Sequence, residues 1–307
     1  MDSFSDIGLF TVIAKQGNMA AAARELGVTP PVVSRRLASL EQRLGVRLMN
    51  RTTRRLSLTP EGEAYLVDGA RILEQLQSLE HRISGGSSQP QGTLRVAATL
   101  GFGREYIAPV LSKFSNRHSQ VEVQLHLSDR PFNIIEQGLD IAIRFGELSD
   151  SRLTARLLAR NRRLLCASPA YLKRAGTPEH PRELGRHNCI FIREADETYG
   201  TWHLKSGAQH ESVKVRANLS TNDGSSALAW ALKGHGILLR SQWDIAEHLR
   251  NKRLVPILKD WHTPNADIYA VFHTANQLPA KVRAAVDLLA KEFEAHRGRG
   301  KEPYGTW

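Results

Sequence analysis

The 307-residue sequence predicts an α/β protein that opens with an all-α segment, and three observations carry that reading. Residues 18 to 40 read as two short helices joined by a tight turn. Thr59 to Ile83 holds apolar side chains at helical spacing. From Thr93 onward, short apolar runs alternate with helical stretches, the order that places helices on the faces of a parallel sheet. The length allows two or three domains with their own cores, and the 41% hydrophobic content is that of an ordinary soluble protein.

The first helix pair is specified almost residue by residue. Ala20 to Ala23 are small enough to let one helix lie close against the next, with Leu26 and Val33 supplying the apolar contact. Gly27 permits the left-handed residue that turns the chain. Thr29 is placed to cap the next helix with its hydroxyl, and Pro30 suits its first position. The second helix then presents Ser34, Arg35 and Arg36 outward, the layout of a helix-turn-helix DNA reader. An ordinary helical hairpin would show the same turn. The charge favours DNA: between positions 15 and 55 stand Lys15, Arg24, Arg35, Arg36, Arg43, Arg47, Arg51, Arg54 and Arg55 against only Glu25 and Glu41.

Val46 to Met49 and Leu56 to Leu58 read as two short strands flanking a basic wing over residues 50 to 55. Thr59-Pro60-Glu61 is a second helix start. Residues 59 to 84 carry five acids against two arginines, so this helix is not a DNA binder. Leu66, Leu73, Leu76 and Ile83, widened by Val67, Ala70 and Leu79, form the stripe of a helix that pairs with a second copy or packs on its own domain. The Gly- and Ser-rich stretch from Ser84 to Gly92 is a flexible linker, which favours the pairing.

Beyond it, strands are expected at Leu94 to Ala98, Val121 to Leu127 and Leu139 to Phe145, with helices at Gly101 to Phe114 and Phe132 to Gln137. A second unit runs from Arg163 to Ala167 through strands at Val213 to Ala217 and Ile237 to Leu239, with a helix at Ser225 to Lys233. Ile268 to His273 and the helix Ala280 to His296 return the chain to the first unit. Two α/β lobes with a cleft between them follow. The expected domains are 1–58 for DNA binding, 59–84 for dimerisation, 85–92 as hinge and 93–307 as a two-lobed unit, with lobe I at 93–162 and 267–307 and lobe II at 163–266.

No apolar run reaches membrane-spanning length and no basic-then-apolar leader opens the chain, so a cytoplasmic protein is expected. Cys166 and Cys189 lack metal-ligand spacing and read as buried thiols or a redox pair. The net charge of +11 favours polyanion partners. The histidines are scattered, no nucleophile has a local catalytic signature and no glycine-rich phosphate loop follows a strand, so neither an enzyme, a cofactor nor a metal is indicated.

The order of parts resembles the LysR-type transcriptional regulators of bacteria. The resemblance rests on Ala21-Ala22-Ala23-Arg24-Glu25-Leu26-Gly27, Val33-Ser34-Arg35, Leu40-Glu41, Leu44-Gly45-Val46-Arg47-Leu48, Arg51-Thr52-Thr53-Arg54 and Leu58-Thr59-Pro60-Glu61-Gly62. In the second half, Ser128-Asp129-Arg130, Leu139-Asp140-Ile141-Ala142-Ile143-Arg144, Leu165 to Tyr171, His187-Asn188-Cys189 and Asn222-Asp223-Gly224 resemble the branch that includes regulators of malate and tartrate use. The resemblance implies a winged helix-turn-helix, a long linker helix and a sensor like the type 2 periplasmic binding proteins. It also implies operator DNA and a small-molecule effector as partners, a homodimer or dimer of dimers, and RNA polymerase if the protein activates.

DNA contacts are then expected from Thr29, Pro30, Pro31, Ser34, Arg35 and Arg36, and from Arg51, Thr52, Arg54 and Arg55 in the wing. Pro30-Pro31 replaces the Gln-Pro of many family members, so base bonding moves to Ser34 and Arg35. Effector contacts are expected from Thr99, Gly101, Phe102, Ser128, Arg144, Phe145, Trp202, Asn222 and Asp223, with helix N-termini suiting a small carboxylate or hydroxy acid. Each has a plain alternative as a cap, turn or core residue. Arg144, inside an apolar strand, needs a partner that an ion pair or a bound carboxylate would meet equally. Two other functions stand beside a ligand-controlled regulator: a constitutive DNA-binding repressor without a working effector site, and a periplasmic-type solute binder.

Overall fold

The computed structural model describes residues 3–51, 56–83, 89–146, 153–193, 200–274, 278–298 and 307. The chain divides into two compact units, Met1–Ser88 and Gln89–Trp307.

In the first unit, α1 (Ser3–Gln16), α2 (Met19–Glu25) and α3 (Pro30–Leu44) enclose a core of Leu9, Phe10, Ile13, Ala22, Ala23, Val33, Leu37 and Leu40. The Asn18 side chain caps α2 by accepting from the Ala20 and Ala21 N–H groups. Gly27 takes φ +64°, and Val28 N–H closes the turn on the Ala23 carbonyl. Thr29 is extended at the start of α3, but its hydroxyl makes no capping bond. The reason is local: Pro31 has no N–H to give, and the next donor, Val32 N–H, is already bonded to the Thr29 carbonyl.

Strands β1 (Met49–Arg51) and β2 (Leu56–Leu58) pair antiparallel, with Met49 opposite Leu58. The first strand starts later than Val46 because the Glu41 carboxylate takes the Leu48 and Met49 N–H groups at 2.9 and 3.1 Å. The wing tip, with Thr52, Arg54 and Arg55, and the Arg51 side chain lie outside the described residues. Helix α4 (Pro60–Ile83) begins at Thr59, whose hydroxyl accepts from Gly62 N–H and donates to the Arg47 carbonyl. Leu66 is half-buried and packs against the core of the first unit. Val67 and Ile72 are exposed.

The second unit holds two five-stranded sheets. One has the order β4 (Val121–Leu127), β3 (Gly92–Ala98), β5 (Ile141–Phe145), β14 (Ile268–His273), β6 (Leu153–Ala159). The other runs β11 (Arg216–Thr221), β8 (Asn188–Ile192), β12 (Ile237–Ser241), β7 (Arg163–Ala167), β13 (Val255–Pro256). Neither is all-parallel as expected. β14 runs antiparallel to β5 and β6, and β7 antiparallel to β12 and β13, because these strands carry the chain across between the sheets and back.

After β3 come α5 (Leu100–Phe102), a π-helical turn at Gly103–Ile107 and α6 (Ala108–Arg117), where one continuous helix was expected. In place of the expected helix at 132–137, residues 134–138 form a turn, stabilised by Asn133, whose side-chain oxygen accepts from the Ile135 and Glu136 N–H groups. The second sheet carries α7 (Pro169–Ala175), α8 (Gly224–Leu232) and α9 (Gln242–Arg250), and α10 (Ala280–Glu292) returns to the first. The expected strand at 213–217 is instead the junction of β10 (Gln209–Lys214), paired with β9 (Thr201–Ser206), and β11.

Candidate functional site

A cleft of about 320 Å³ lies where the two sheets face each other. From the first sheet it takes Thr99 to Phe102 after β3, Asp129 to Phe132 after β4, and Ile143 to Phe145 of β5. The second side contributes Arg163, Ile190 to Ile192, Asn222, Gly224, Leu239 to Ser241 and Trp243, and β9 of the separate β9–β10 pair adds Trp202. Parallel strands β3 and β4 therefore deliver their carboxyl ends to it, the usual ligand edge of an α/β sheet.

Of the nine expected effector residues, Thr99, Gly101, Phe102, Arg144, Phe145, Trp202 and Asn222 line the cleft. Thr99 stands before α5 with its hydroxyl uncommitted to capping. Ser128 does not reach the cleft, because its hydroxyl accepts from Arg130 N–H at 2.9 Å and holds the turn that presents Asp129 and Arg130. Asp223 is also absent from the lining. Its carboxylate accepts from the Ser225 and Ser226 N–H groups and the Ser226 hydroxyl, so the α8 N-terminus is filled by the protein's own anion. Burial opposes the charge on Asp223, but the Ser226 and Ser225 bonds, aided by Arg104, outweigh it and hold its pKa below the usual value. Phe102 and Trp202 also belong to the cores beneath the cleft walls.

Arg144 donates to the Phe132 carbonyl and so ties β5 to the loop that follows β4. Sequence reasoning missed Arg240, although it too is an arginine in an apolar strand. Its guanidinium pairs with Asp244, lies 5.4 Å from the Trp243 ring centroid and crowds Gly224 so closely that a Cβ there would sit 2.0 Å from it. Four arginines, at 130, 144, 163 and 240, line the cleft against one acid, Asp129. The lobes touch across it: Asn222 donates to Asp129, and Arg104 to the Ser225 hydroxyl at 3.2 Å.

On α3, Arg35 and the prolines Pro30 and Pro31 are exposed and Ser34 is half-buried. Arg36 was expected to face DNA with them. The structure turns it toward α1, where its guanidinium donates to the Ser5 hydroxyl at 2.7 Å and pairs with Asp6.

Such a basic helix-turn-helix with a two-stranded wing, followed in the chain by a two-lobed cleft rich in arginine, defines a ligand-responsive transcriptional regulator. Residues 4–63 match the bacterial regulatory helix-turn-helix protein family named lysR, and residues 87–294 match the LysR substrate binding domain. The chain belongs to the LysR family, whose members are DNA-binding regulators rather than enzymes. It is 38% identical to the HTH-type transcriptional regulator DmlR of Escherichia coli over 95% of both chains. It is 35% identical to the transcriptional activator TtdR of the same species, over 97% of this chain and 96% of that one. The solved structure of CrgA from Neisseria meningitidis is similar at 31% identity and a TM-score of 0.58, covering 95% of this chain and 99% of that one. Among the described residues no helix is long and apolar enough to cross a membrane, and no group of three or more His, Cys, Asp or Glu is placed to hold a metal.

Proposed function

We propose that a small carboxylate or hydroxy acid binds the cleft and that its binding changes operator recognition. The observation that carries this is the excess of arginine over acid in a cleft sized for a small molecule, Arg130, Arg144 and Arg163 beside Asp129, with Arg240 already paired to Asp244. Thr99 and Asn222 approach from opposite lobes, so a ligand bridging them favours one closure by its differential affinity. In this reading residues 1–58 bind operator DNA in the cytoplasm through Thr29, Pro30, Pro31, Ser34, Arg35 and the wing residues Arg51, Thr52, Arg54 and Arg55. Residues 59–84 pair two copies, 85–92 transmit the change and 93–307 sense. The exposed Val67 and Ile72, with Leu73 and Leu76, support a homodimer through α4, and the family resemblance supports a dimer of dimers. Contact with RNA polymerase follows if the protein activates.

The test is calorimetry on the full chain with malate, tartrate and related acids, beside neutral sugars and amines. Thr99→Val keeps volume but removes the hydroxyl, so acid binding should weaken by about 1 to 3 kcal/mol. Binding by no small acid removes this effector class and leaves the constitutive repressor as the better reading.

A further inference from the structure

We infer that Asp6, which lies outside the recognition helix, is a specificity-determining positioning residue for DNA binding: it sets the rotational seat of α3. Asp6 lies in the first turn of α1, and its side chain is only 2% exposed. Two arginines of α3 reach it, Arg36 at 3.5 Å on one carboxylate oxygen and Arg43 at 3.1 Å on the other. Seven residues separate them, two helical turns, so both leave α3 on the same side. Withdrawing a carboxylate from water is costly unless cations meet it, and here two do.

The clamp has a geometric consequence. The buried stripe Val33, Leu37 and Leu40 selects the face of α3 that enters the core. An apolar stripe is tolerant of small rotations, because dispersion contacts have no preferred direction. Ion pairs with hydrogen bonds at one flank have one, and Arg36 is held twice, by Asp6 and by Ser5. Arg43 also lies beside Tyr65 of α4, so the clamp reaches a third helix. Arg35 is rotated about 100° from Arg36 on the helix surface. Fixing Arg36 against α1 therefore fixes the direction in which Arg35 points away from the core.

Charge and position pull in opposite directions, which makes the role testable. Asp6 is an acid among basic side chains, so its removal raises the attraction for any polyanion. Positioning matters only where base edges are read. The experiment uses the full-length protein, a duplex enriched from a random pool by the wild type, and a scrambled duplex, at fixed salt. Asp6→Asn should weaken binding to the enriched duplex about tenfold while binding to the scrambled duplex holds or tightens. Parallel tightening on both duplexes would show that Asp6 acts only as a repulsive charge, and parallel weakening that it merely holds the unit together. Either overturns the assignment.

If Asp6→Asn does not fold, Arg36→Lys decides. Both bonds leave one guanidinium nitrogen, and a lysine ammonium ends about one bond short of it, so lysine keeps the charge but loses the reach to Ser5 and Asp6. Loss of discrimination with unchanged scrambled-duplex binding supports the clamp. Unchanged discrimination overturns it.

Discussion

The Asn222 side-chain amide donates to the Asp129 carboxylate from the opposite lobe, so the cleft is bridged by the protein's own groups. Asn222 stands before α8, and Asp129 follows β4. A carboxylate from lobe I thus already occupies the donor that an effector carboxylate would seek from lobe II.

Loosening this bridge should open the lobes. Ser225→Ala removes the neighbouring cross-lobe bond from Arg104 without touching the cleft lining. One such bond is worth about 1 kcal/mol, roughly a fivefold shift in the closure equilibrium. Small-angle scattering should show a larger radius for Ser225→Ala and a larger one still for Asn222→Ala with Ser225→Ala. Identical profiles for wild type and the double variant would show that these bonds do not hold the lobes.

Base reading and phosphate neutralisation should separate. Arg35→Ala is expected to cost about 1 to 3 kcal/mol on the specific duplex and to relax base preference. Arg54→Ala should weaken all sequences alike and lower the salt slope by about one. Equal losses on specific and random DNA for Arg35→Ala would remove it as a base reader.

Asp223 should contribute stability only where it is ionised. Its folded pKa is depressed, so the contribution is present above the unfolded carboxylate value and disappears as pH falls through the folded one. Asp223→Ala should therefore destabilise by about 0.5 to 2 kcal/mol near neutrality, the range for a lost helix cap. The gap to wild type should vanish in strongly acidic solution. A pH-independent gap in denaturant titrations would contradict the role of charge.

Cys166 and Cys189 should be unreactive in the native protein. Both are buried, and burial pushes each thiol up to about 12, so almost no thiolate exists near neutral pH. Labelling by an alkylating reagent should proceed at the unfolding rate and accelerate with denaturant. Rapid native labelling of either cysteine would restore the redox reading.

Local rules carried much of the fold. Gly27, Pro30 and Thr59 act where they stand, and a residue's own neighbours decide a turn or a cap, so these positions were legible. Thr29 failed as a cap for an equally local reason: Pro31 has no N–H and Val32 gives its own to the Thr29 carbonyl. The cleft was legible at strand ends, where Thr99, Phe145 and Asn222 fall. Arg36 was not, since Ser5 and Asp6 are set near it only by folding, and Arg240 was missed although its ion partner Asp244 stands four residues on, because only folding lays its guanidinium against Gly224 at the cleft. Ser128 and Asp223 show the converse: each has a partner two or three residues away, and a nearby partner was satisfied before a distant ligand could be.

The two chain crossings between the sheets are fastened side by side. Buried Asn161 donates through its backbone to Asp267 at 2.9 Å and through its side chain to the Ala266 carbonyl at 2.8 Å, while Arg160 holds the other Asp267 oxygen. Sliding or twisting of one lobe on the other would break these bonds, whereas swinging about the line through them leaves them intact. The bonds thereby favour a hinge angle over sliding as the way the lobes move. A longer or a shorter molecule in the cleft would then be registered chiefly as a different opening of that one angle.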